Sequence, residues 1–296
     1  MSAGVLFSVI VPTYRRTEPL KRLLAALAQQ DLPGSEFEVF IVDDGGGAPL
    51  EDLARPHVDS FSIRLLRQEN AGPAAARNLG AAHARGRYLV FTDDDCRPES
   101  GWLSALDRAF ASAPEALAGG SIVNGVEGNL FSEATELLFD YLYLRYNPVS
   151  VRGGFFLANN MAVPREAFLA VGGMEASMRF GEDREFCYRW ASRGGGFQWV
   201  KDAVVRHHNE LNLASFLKLH FQYGGGTASF RKRSRRLHLP PASISPPSWY
   251  MGLVLHGIRR SKGWRGVALS ALLGTSQICS MGGLAVNALS NRALIR

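Results

Sequence analysis

The sequence predicts an α/β fold: a mostly parallel central sheet flanked by helices, followed by a C-terminal hydrophobic tail that is helical. Three observations carry this. The runs "VLFSVIVP" and "FEVFIVDD" are near-continuous, apolar and of strand length, the pattern of strands buried on both faces. Helix-period segments alternate with them at the spacing of strand–helix–strand units. Acidic residues then gather where the strands end, at Asp43, Asp44 and Asp93 to Asp95, the edge at which such sheets collect ligands.

The first strand runs into "TEPLKRLLAALAQQ", where Leu20, Leu23, Leu24 and Leu27 fall on one helical face and Thr17 is placed to cap the start. "FEVFIVDDGG" is the second strand, and the more polar "FSIRLLRQE" an edge strand. "NAGPAAARNLGAAHARG" predicts a helix with Ala75, Leu79 and Ala82 inward, and "RYLVFTDDD" the fourth strand. A helix follows in "ESGWLSALDRAFA", burying Trp102, Leu103, Leu106 and Phe110. From about Gly120 to Val163 no single period dominates, which predicts a mixed region. "PREAFLAVGGM" is a short helix stopped by Gly172 and Gly173, "EDREFCYRWASRGG" a longer one with acids first and basic residues last, and "FQWVKDAVVRHH" a strand.

Prolines 240, 241, 246 and 247 mark a linker or wrapped loop before the tail. Residues 267–289 carry no charge, yet serines, a glutamine, an asparagine and glycines make them a poor hydrocarbon span. Interfacial helices or a hairpin lying on a membrane suit this composition better, with a true span or ordinary packed helices as the other readings.

The chain has 296 residues, 46% of them hydrophobic, enough for one large core. Its formal charge of +6 is uneven: Arg231, Lys232, Arg233, Arg235 and Arg236 are five cations in six residues, which suits an anionic lipid surface or a polyphosphate. Finger spacing, RNP-like stretches and regular basic–aromatic interleaving are absent, which argues against nucleic acid. Three distant cysteines give no disulfide framework or zinc site and fit a reducing compartment. The opening "MSAGVLFSVIVPTYRR" lacks the basic and apolar regions of a secretory signal.

The chemistry concentrates in "RYLVFTDDDCRP". Val90 and Phe91 belong in a core, but adjacent carboxylates cannot follow them unpaired. Solvent, a basic side chain or a bound cation must make Asp93 to Asp95 tolerable. A hard divalent ion suits carboxylate oxygens, and strand geometry would turn Asp93 and Asp95 to one side and Asp94 away. "VDDGGG" places acids beside glycines that admit a ligand to the backbone, and "GEDREF" puts Glu182 and Asp183 at a helix start, where a carboxylate stays ionised and is a candidate general base.

Taken in order and at their intervals, "VIVPTYRR", "VDDGG", "NAGPAAARNLG", "FTDDDCRP", "NNMAVPREAFLAVGGM", "GEDREFCYRW" and "HFQYGGG" resemble the family 2 glycosyltransferases, over roughly residues 5 to 235. The resemblance implies a glycosyltransferase-A-like fold and inverting transfer from a nucleotide-diphosphate sugar. It also implies Mn2+ or Mg2+ as cofactor. Residues 1–238 would be the catalytic domain, with a nucleotide-binding half (1–119) and an acceptor-binding half (120–238), and 239–296 a membrane-associating tail. By position, Pro12, Thr13 and Tyr14 would line the base pocket. Asp43 would bind base or ribose, Arg77 would lie near the base or diphosphate, and Asp93 and Asp94 would sit at the donor. Asp93 and Asp95 match the metal pair, Asp95 being the direct ligand, with His207 or His208 offering a further contact. Asp183 matches the general base and Glu182 its acceptor-side companion.

His207 and His208 are neighbours in a strand and face opposite ways, so only one reaches the site. "HFQYGGG" lacks the arginine–tryptophan pair of processive polymerases, which implies one sugar per encounter. The acceptor would be a glycan or a lipid-linked acceptor in cell-envelope or extracellular polysaccharide synthesis, and the location the cytoplasmic face of the cell membrane, peripheral or tail-anchored, with the cytoplasm as the alternative. The rival readings are a nucleotidyltransferase, disfavoured by the glycine-poor "VPTYRRTEP", and a non-catalytic sugar or membrane adaptor. A dinucleotide oxidoreductase is disfavoured because no glycine fingerprint follows the first strand.

Overall fold

The structure is a computed structural model and describes residues 4–47, 49–147, 154–237 and 245–293; Pro240 and Pro241 of the expected linker lie outside the described residues. One eight-stranded sheet organises it, in the order β3-β2-β1-β4-β7-β6-β8-β5. Its first part comprises β1 (Phe7–Thr13), β2 (Phe37–Asp43), β3 (Ser62–Arg67) and β4 (Tyr88–Phe91), all parallel. β1 is buried throughout because alternate residues serve two cores. Val9, Val11, Val39, Ile41 and Val90 face one core with the leucines of α1 (Thr17–Leu27) and with α4 (Trp102–Ser112). Ile10, Phe40, Val42, Leu89 and Phe91 face the other, with α3 (Pro73–His83), α6 (Arg165–Val171) and α7 (Glu182–Ser192). Two-sided burial is why these strands read as unbroken apolar runs. β3 is the edge, and its burial is only partial. A short helix, α2 (Leu50–Ala54), leads into it.

The second part is mixed, as the lack of a single period from about Gly120 to Val163 predicts. β7 (Met161–Pro164) runs antiparallel to β4 and to β6 (Leu117–Asn124). β8 (Phe197–His207) runs parallel to β6, with an irregularity between Gly120 and Ser121, and antiparallel to β5 (Cys96–Pro98). The β5–β8 register sets Cys96 opposite His207, which brings the end of β8 to the acidic turn. Asn160 ties this region together: its amide donates to the carbonyls of Ser121 and Ala203, and its oxygen accepts from the Trp102 indole.

Two local expectations fail. Thr17 does not cap α1; it is already helical, and the boundary residue is Arg16, whose side chain is committed elsewhere. On α3 the inward residues are Ala74, Ala76, Arg77, Gly80 and Ala81, while Ala75 and Leu79 are only partly buried and Ala82 is exposed. Gly80 sets that rotation, since a Cβ there would lie 2.5 Å from an Ile10 methyl on β1.

Four further helices build a wall at one side of the sheet: α5 (Leu130–Tyr146), α8 (Leu213–Arg236), α9 (Pro247–Arg260) and α10 (Gly263–Ala293). Asn212 and Ser215 form a reciprocal cap at the start of α8. The basic run 231–236 forms the last turns of α8 rather than a separate turn, and Arg233 reaches Glu175 at 2.6 Å. α10 lies along α8 at very close range: a Cβ on Gly224 would meet the Ser280 carbonyl oxygen at 2.0 Å, and one on Gly283 the Phe221 carbonyl oxygen at 1.9 Å. Gly263–Leu289 is long and apolar enough to cross a membrane by length and composition, with 28% of its most apolar window buried against the protein.

Candidate active site

The carboxyl ends of β1, β2 and β4, the start of α7 and the end of β8 surround a cavity of about 930 Å³. The three aspartates after β4 sit in a turn, so strand alternation does not govern them. Asp94 is not turned away from Asp95; Arg16 pairs with both, at 3.1 Å and 2.9 Å. Thr13 Oγ1 also donates to Asp94 at 2.7 Å. Asp93 instead accepts from Arg77 Nη2 at 2.5 Å, while Arg77 Nη1 donates to Glu182 at 2.9 Å. Asp95 lies 3.4 Å from His207 Nε2, and His207 Nδ1 lies 2.6 Å from Glu136. The acidic turn is therefore met by the protein's own cations.

Their environments divide the three. Burial pushes Asp94 up to about 7 against the pull of Arg16. Burial also opposes ionisation of Asp95, but His207 and Arg16 outweigh it and hold its carboxyl well below the usual range. For His207, burial works against the imidazolium, and Glu136 with Asp95 overcomes it and raises the pKa well above the ordinary value.

The donor atoms of Asp95, Cys96 and His207 lie within 4.8 Å of one another. An oxygen and an imidazole nitrogen, once a bound ion has displaced the His207 proton, suit manganese, while magnesium favours oxygen alone. Cys96 is buried, its thiol pushed up by that burial, so it keeps its proton and is a poor ligand for a hard ion. Asp93 is outside this group, held on the Arg77 side. His208 does not line the cavity: its ring lies 2.6 Å from where a Gly125 Cβ would be, and its backbone N–H donates to the Asp95 carbonyl.

Pro12, Thr13 and Tyr14 line the cavity where β1 ends, and the exposed Tyr14 ring carries the Arg15 guanidinium 5.0 Å above it. Asp43 does not line it; its carboxylate accepts from the N–H groups of Gly46 and Gly47 and folds the glycine loop. Its neighbour Asp44 lines the cavity, accepting from Gln68 and from the N–H groups of Ala71 and Gly72. Adjacent residues at a strand end face opposite ways, and the sequence did not say which acid faces in.

Asp183 opens into the same cavity from the first turn of α7. Burial, then the adjacent Glu182, pushes its pKa up to about 7, against the Arg184 N–H and Arg77. The helix start therefore does not hold it firmly ionised, which corrects that expectation; desolvation outweighs the helix end. Sequence reasoning also missed Arg16, Glu136 and the tail: Trp249, Tyr250, Gln277, Ser280, Met281 and Leu284 of α9 and α10 all line the cavity.

The fold matches that of solved glycosyltransferases. The mannosyltransferase PcManGT from Pyrobaculum calidifontis, solved with GDP-Man and Mn2+, aligns with a TM-score of 0.67 at 17% identity, over 98% of this chain and 89% of that one. Staphylococcus aureus TarS with UDP-GlcNAc aligns at 0.52 and 18% identity, over 98% and 92%. These define a glycosyltransferase-A-like fold. The family model for Glycosyl transferase family 2 matches residues 8–172, more than half of the chain, and the chain belongs to that family. Among curated relatives, the pre-mycofactocin glycosyltransferase of Mycobacterium tuberculosis is 30% identical over 233 residues, 76% of this chain and 47% of the relative. Glycosyltransferase AglE of Haloferax volcanii is 26% identical over 222 residues, 74% and 72% of the two chains. The chain thus spans about half the length of the mycobacterial relative.

Proposed function

We propose that the protein transfers one sugar, with inversion, from a nucleotide-diphosphate sugar to a hydroxyl of a glycan or lipid-linked acceptor. The observation that carries this is that one cavity joins the Asp95–His207 donor pair to a carboxylate, Asp183, with a pKa of about 7. Tyr14 offers an exposed ring for the base, and Asp44 fixes the loop beside α3. Asp95 and His207 would hold Mn2+ or Mg2+, which when bound neutralises the leaving diphosphate. Arg77 holds Asp93 and Glu182 in place between the two ends of the site. Asp183 takes the proton from the acceptor hydroxyl as its oxygen attacks the anomeric carbon from the face opposite the diphosphate. A base poised near neutrality suits that step.

Membrane contact belongs to the same reading. Met251, Ile258, Trp264, Val267 and Ile278 expose apolar surface on α9 and α10, near Arg259, Arg260 and Lys262. That composition favours peripheral or monotopic binding at an anionic, cytoplasmic membrane face. The direct test of transfer is a panel of UDP-, GDP- and dTDP-sugars with manganese or magnesium, following release of nucleoside diphosphate. Release that needs the divalent ion and disappears in Asp95→Asn supports the reading; no release with any donor rejects it.

A further inference from the structure

Two cations in the cavity have no part in the donor site. Arg184 in the first turns of α7 and Arg231 on α8 both line it, and among the described residues neither has an ion-pair partner. Of the other arginines lining the cavity, Arg16 and Arg77 are paired with carboxylates, and Arg145 and Arg179 are exposed, whereas Arg184 and Arg231 are partly buried. The Arg184 guanidinium rests 4.7 Å from the centre of the Phe230 ring, and the Arg231 Nε is buried without a hydrogen-bond partner. Burial first, with the repulsion of Arg231, lowers the Arg184 pKa, and the nearby Tyr146 and Asp183 oppose this only in part. A partly buried cationic pair with no ion-pair contact of its own is arranged for an external anion. Guanidinium groups with open donors match phosphate oxygens best.

The walls around this pair are apolar. Phe139 of α5, Tyr223 and Phe230 of α8, Trp249 of α9, and Met281 and Leu284 of α10 line the same cavity. Met281 is also half-exposed on the outside of α10, where Ile278 is exposed too, so the apolar lining continues onto the outer face. A soluble sugar would gain little from such walls, whereas a hydrocarbon chain gains roughly 0.8 kcal/mol per buried methylene.

We infer that the acceptor is an anionic amphiphile, in which a phosphate group joins a hydroxyl-bearing head to a hydrocarbon body. The head reaches Asp183, the phosphate lies between Arg184 and Arg231, and the hydrocarbon runs along the wall of α5, α8, α9 and α10 toward the outer face. In the reaction the acceptor oxygen bonds to the anomeric carbon, the bond from that carbon to the diphosphate oxygen breaks with its electron pair, and the hydroxyl proton passes to Asp183. This rests on the glycosyl-transfer reading.

The test begins with binding to the full chain, by calorimetry below the critical micelle concentration. Dodecyl phosphate is compared with neutral dodecyl maltoside and with water-soluble glucose 1-phosphate, and UDP and GDP binding with manganese serves as the donor control. Dodecyl phosphate should bind tightest, and Arg184→Gln combined with Arg231→Gln should weaken it by roughly tenfold or more. Met281→Glu should weaken it as well, and none of these variants should change donor binding. Arg184→Lys with Arg231→Lys should recover part of the affinity. Mass spectrometry then asks whether a dodecyl-diphosphate-linked hexose gains a sugar where the methyl hexoside does not; gain on both alike overturns the proposal, and it separates an acceptor site from mere attraction to lipid headgroups. Equal binding of dodecyl maltoside overturns the role of the arginines, and equal binding of glucose 1-phosphate overturns that of the apolar wall. Arginine-dependent binding of dodecyl phosphate with no nucleotide bound at all removes the acceptor role through failure of the transfer reading, not of the site.

Discussion

Arg77 on α3 and Glu182 on α7, far apart in sequence, meet at 2.9 Å, and the same guanidinium holds Asp93 at 2.5 Å. Burial works against the Arg77 charge, but Asp93 and Glu182 outweigh it and raise its pKa. One cation thus fixes the first residue of the acidic turn to the helix start that carries the proposed base.

Arg77→Met should therefore damage both fold and activity. It leaves Glu182 buried and Asp93 partly buried without their counter-charge, a loss of about 3 kcal/mol by analogy with broken buried pairs. Urea denaturation reads the stability change. A variant with an unchanged midpoint would show that the two acids reach solvent without Arg77.

His207 should govern cation affinity through Asp95. His207→Gln keeps a polar side chain but loses the imidazole nitrogen 3.4 Å from Asp95 and the contact with Glu136. Manganese binding, followed by electron paramagnetic resonance, should weaken by roughly 10- to 100-fold in this variant and more in Asp95→Asn. His208→Gln, outside the cavity, should bind manganese normally. Equal losses in both histidine variants would remove His207 from the site.

These relationships mark the boundary of what the sequence discloses. Strands buried on both faces were legible because β1, β2 and β4 show nearly unbroken apolar character. The demand for a counter-charge at Asp93 to Asp95 was legible too, but its suppliers were not. Arg16 is 79 positions from Asp95, and no local pattern joins them. α3 was misjudged because an alanine-rich helix offers little contrast between faces, and its inward side carries a glycine and an arginine. The tail's part in the cavity was hidden because its apolar residues serve a pocket wall and an exposed face at once.

Helix α10 should behave as part of the fold. Gly283→Ala would drive a methyl into the Phe221 carbonyl, and overpacking of this kind costs roughly 1–3 kcal/mol. In Gly274 the nearest obstacle is a Val254 methyl at 3.8 Å, so Gly274→Ala should gain up to about 1 kcal/mol from helix propensity. Thermal melts should move in opposite directions. A rise in both would mean that α10 is not seated on α8.

The outer face of α9 and α10 should bind anionic vesicles. Exposed Trp264 and Val267 supply apolar contact, and each nearby lysine or arginine adds roughly 1 kcal/mol at such a surface. Trp264→Ser combined with Val267→Ser should cut co-sedimentation with phosphatidylglycerol vesicles, and salt should weaken the unaltered protein only in part. Indifference of the full chain to vesicles of any charge would reject the membrane reading.

Asp183 should set the pH dependence of both rate and stability. Its pKa of about 7 means that the basic form grows as pH rises through neutrality, so transfer should climb across that range and level off above it. Asp183→Asn should lose roughly 10²- to 10⁴-fold in turnover while manganese and donor binding stay near normal. Stability should run the other way. An unfolded aspartate titrates near about 3.9, so between that pH and 7 the folded protein holds a proton that the unfolded chain has released. The contribution is fully present below the lower value and is lost as pH rises through the folded one. Asp94, also raised to about 7, acts in the same window, so the difference between unaltered protein and Asp183→Asn isolates Asp183. Melting curves from pH 4 to pH 8 should show the variant gaining relative to the unaltered protein as pH rises. A constant difference would place the Asp183 carboxylate in solvent, and full turnover in the variant would assign the proton transfer to another residue.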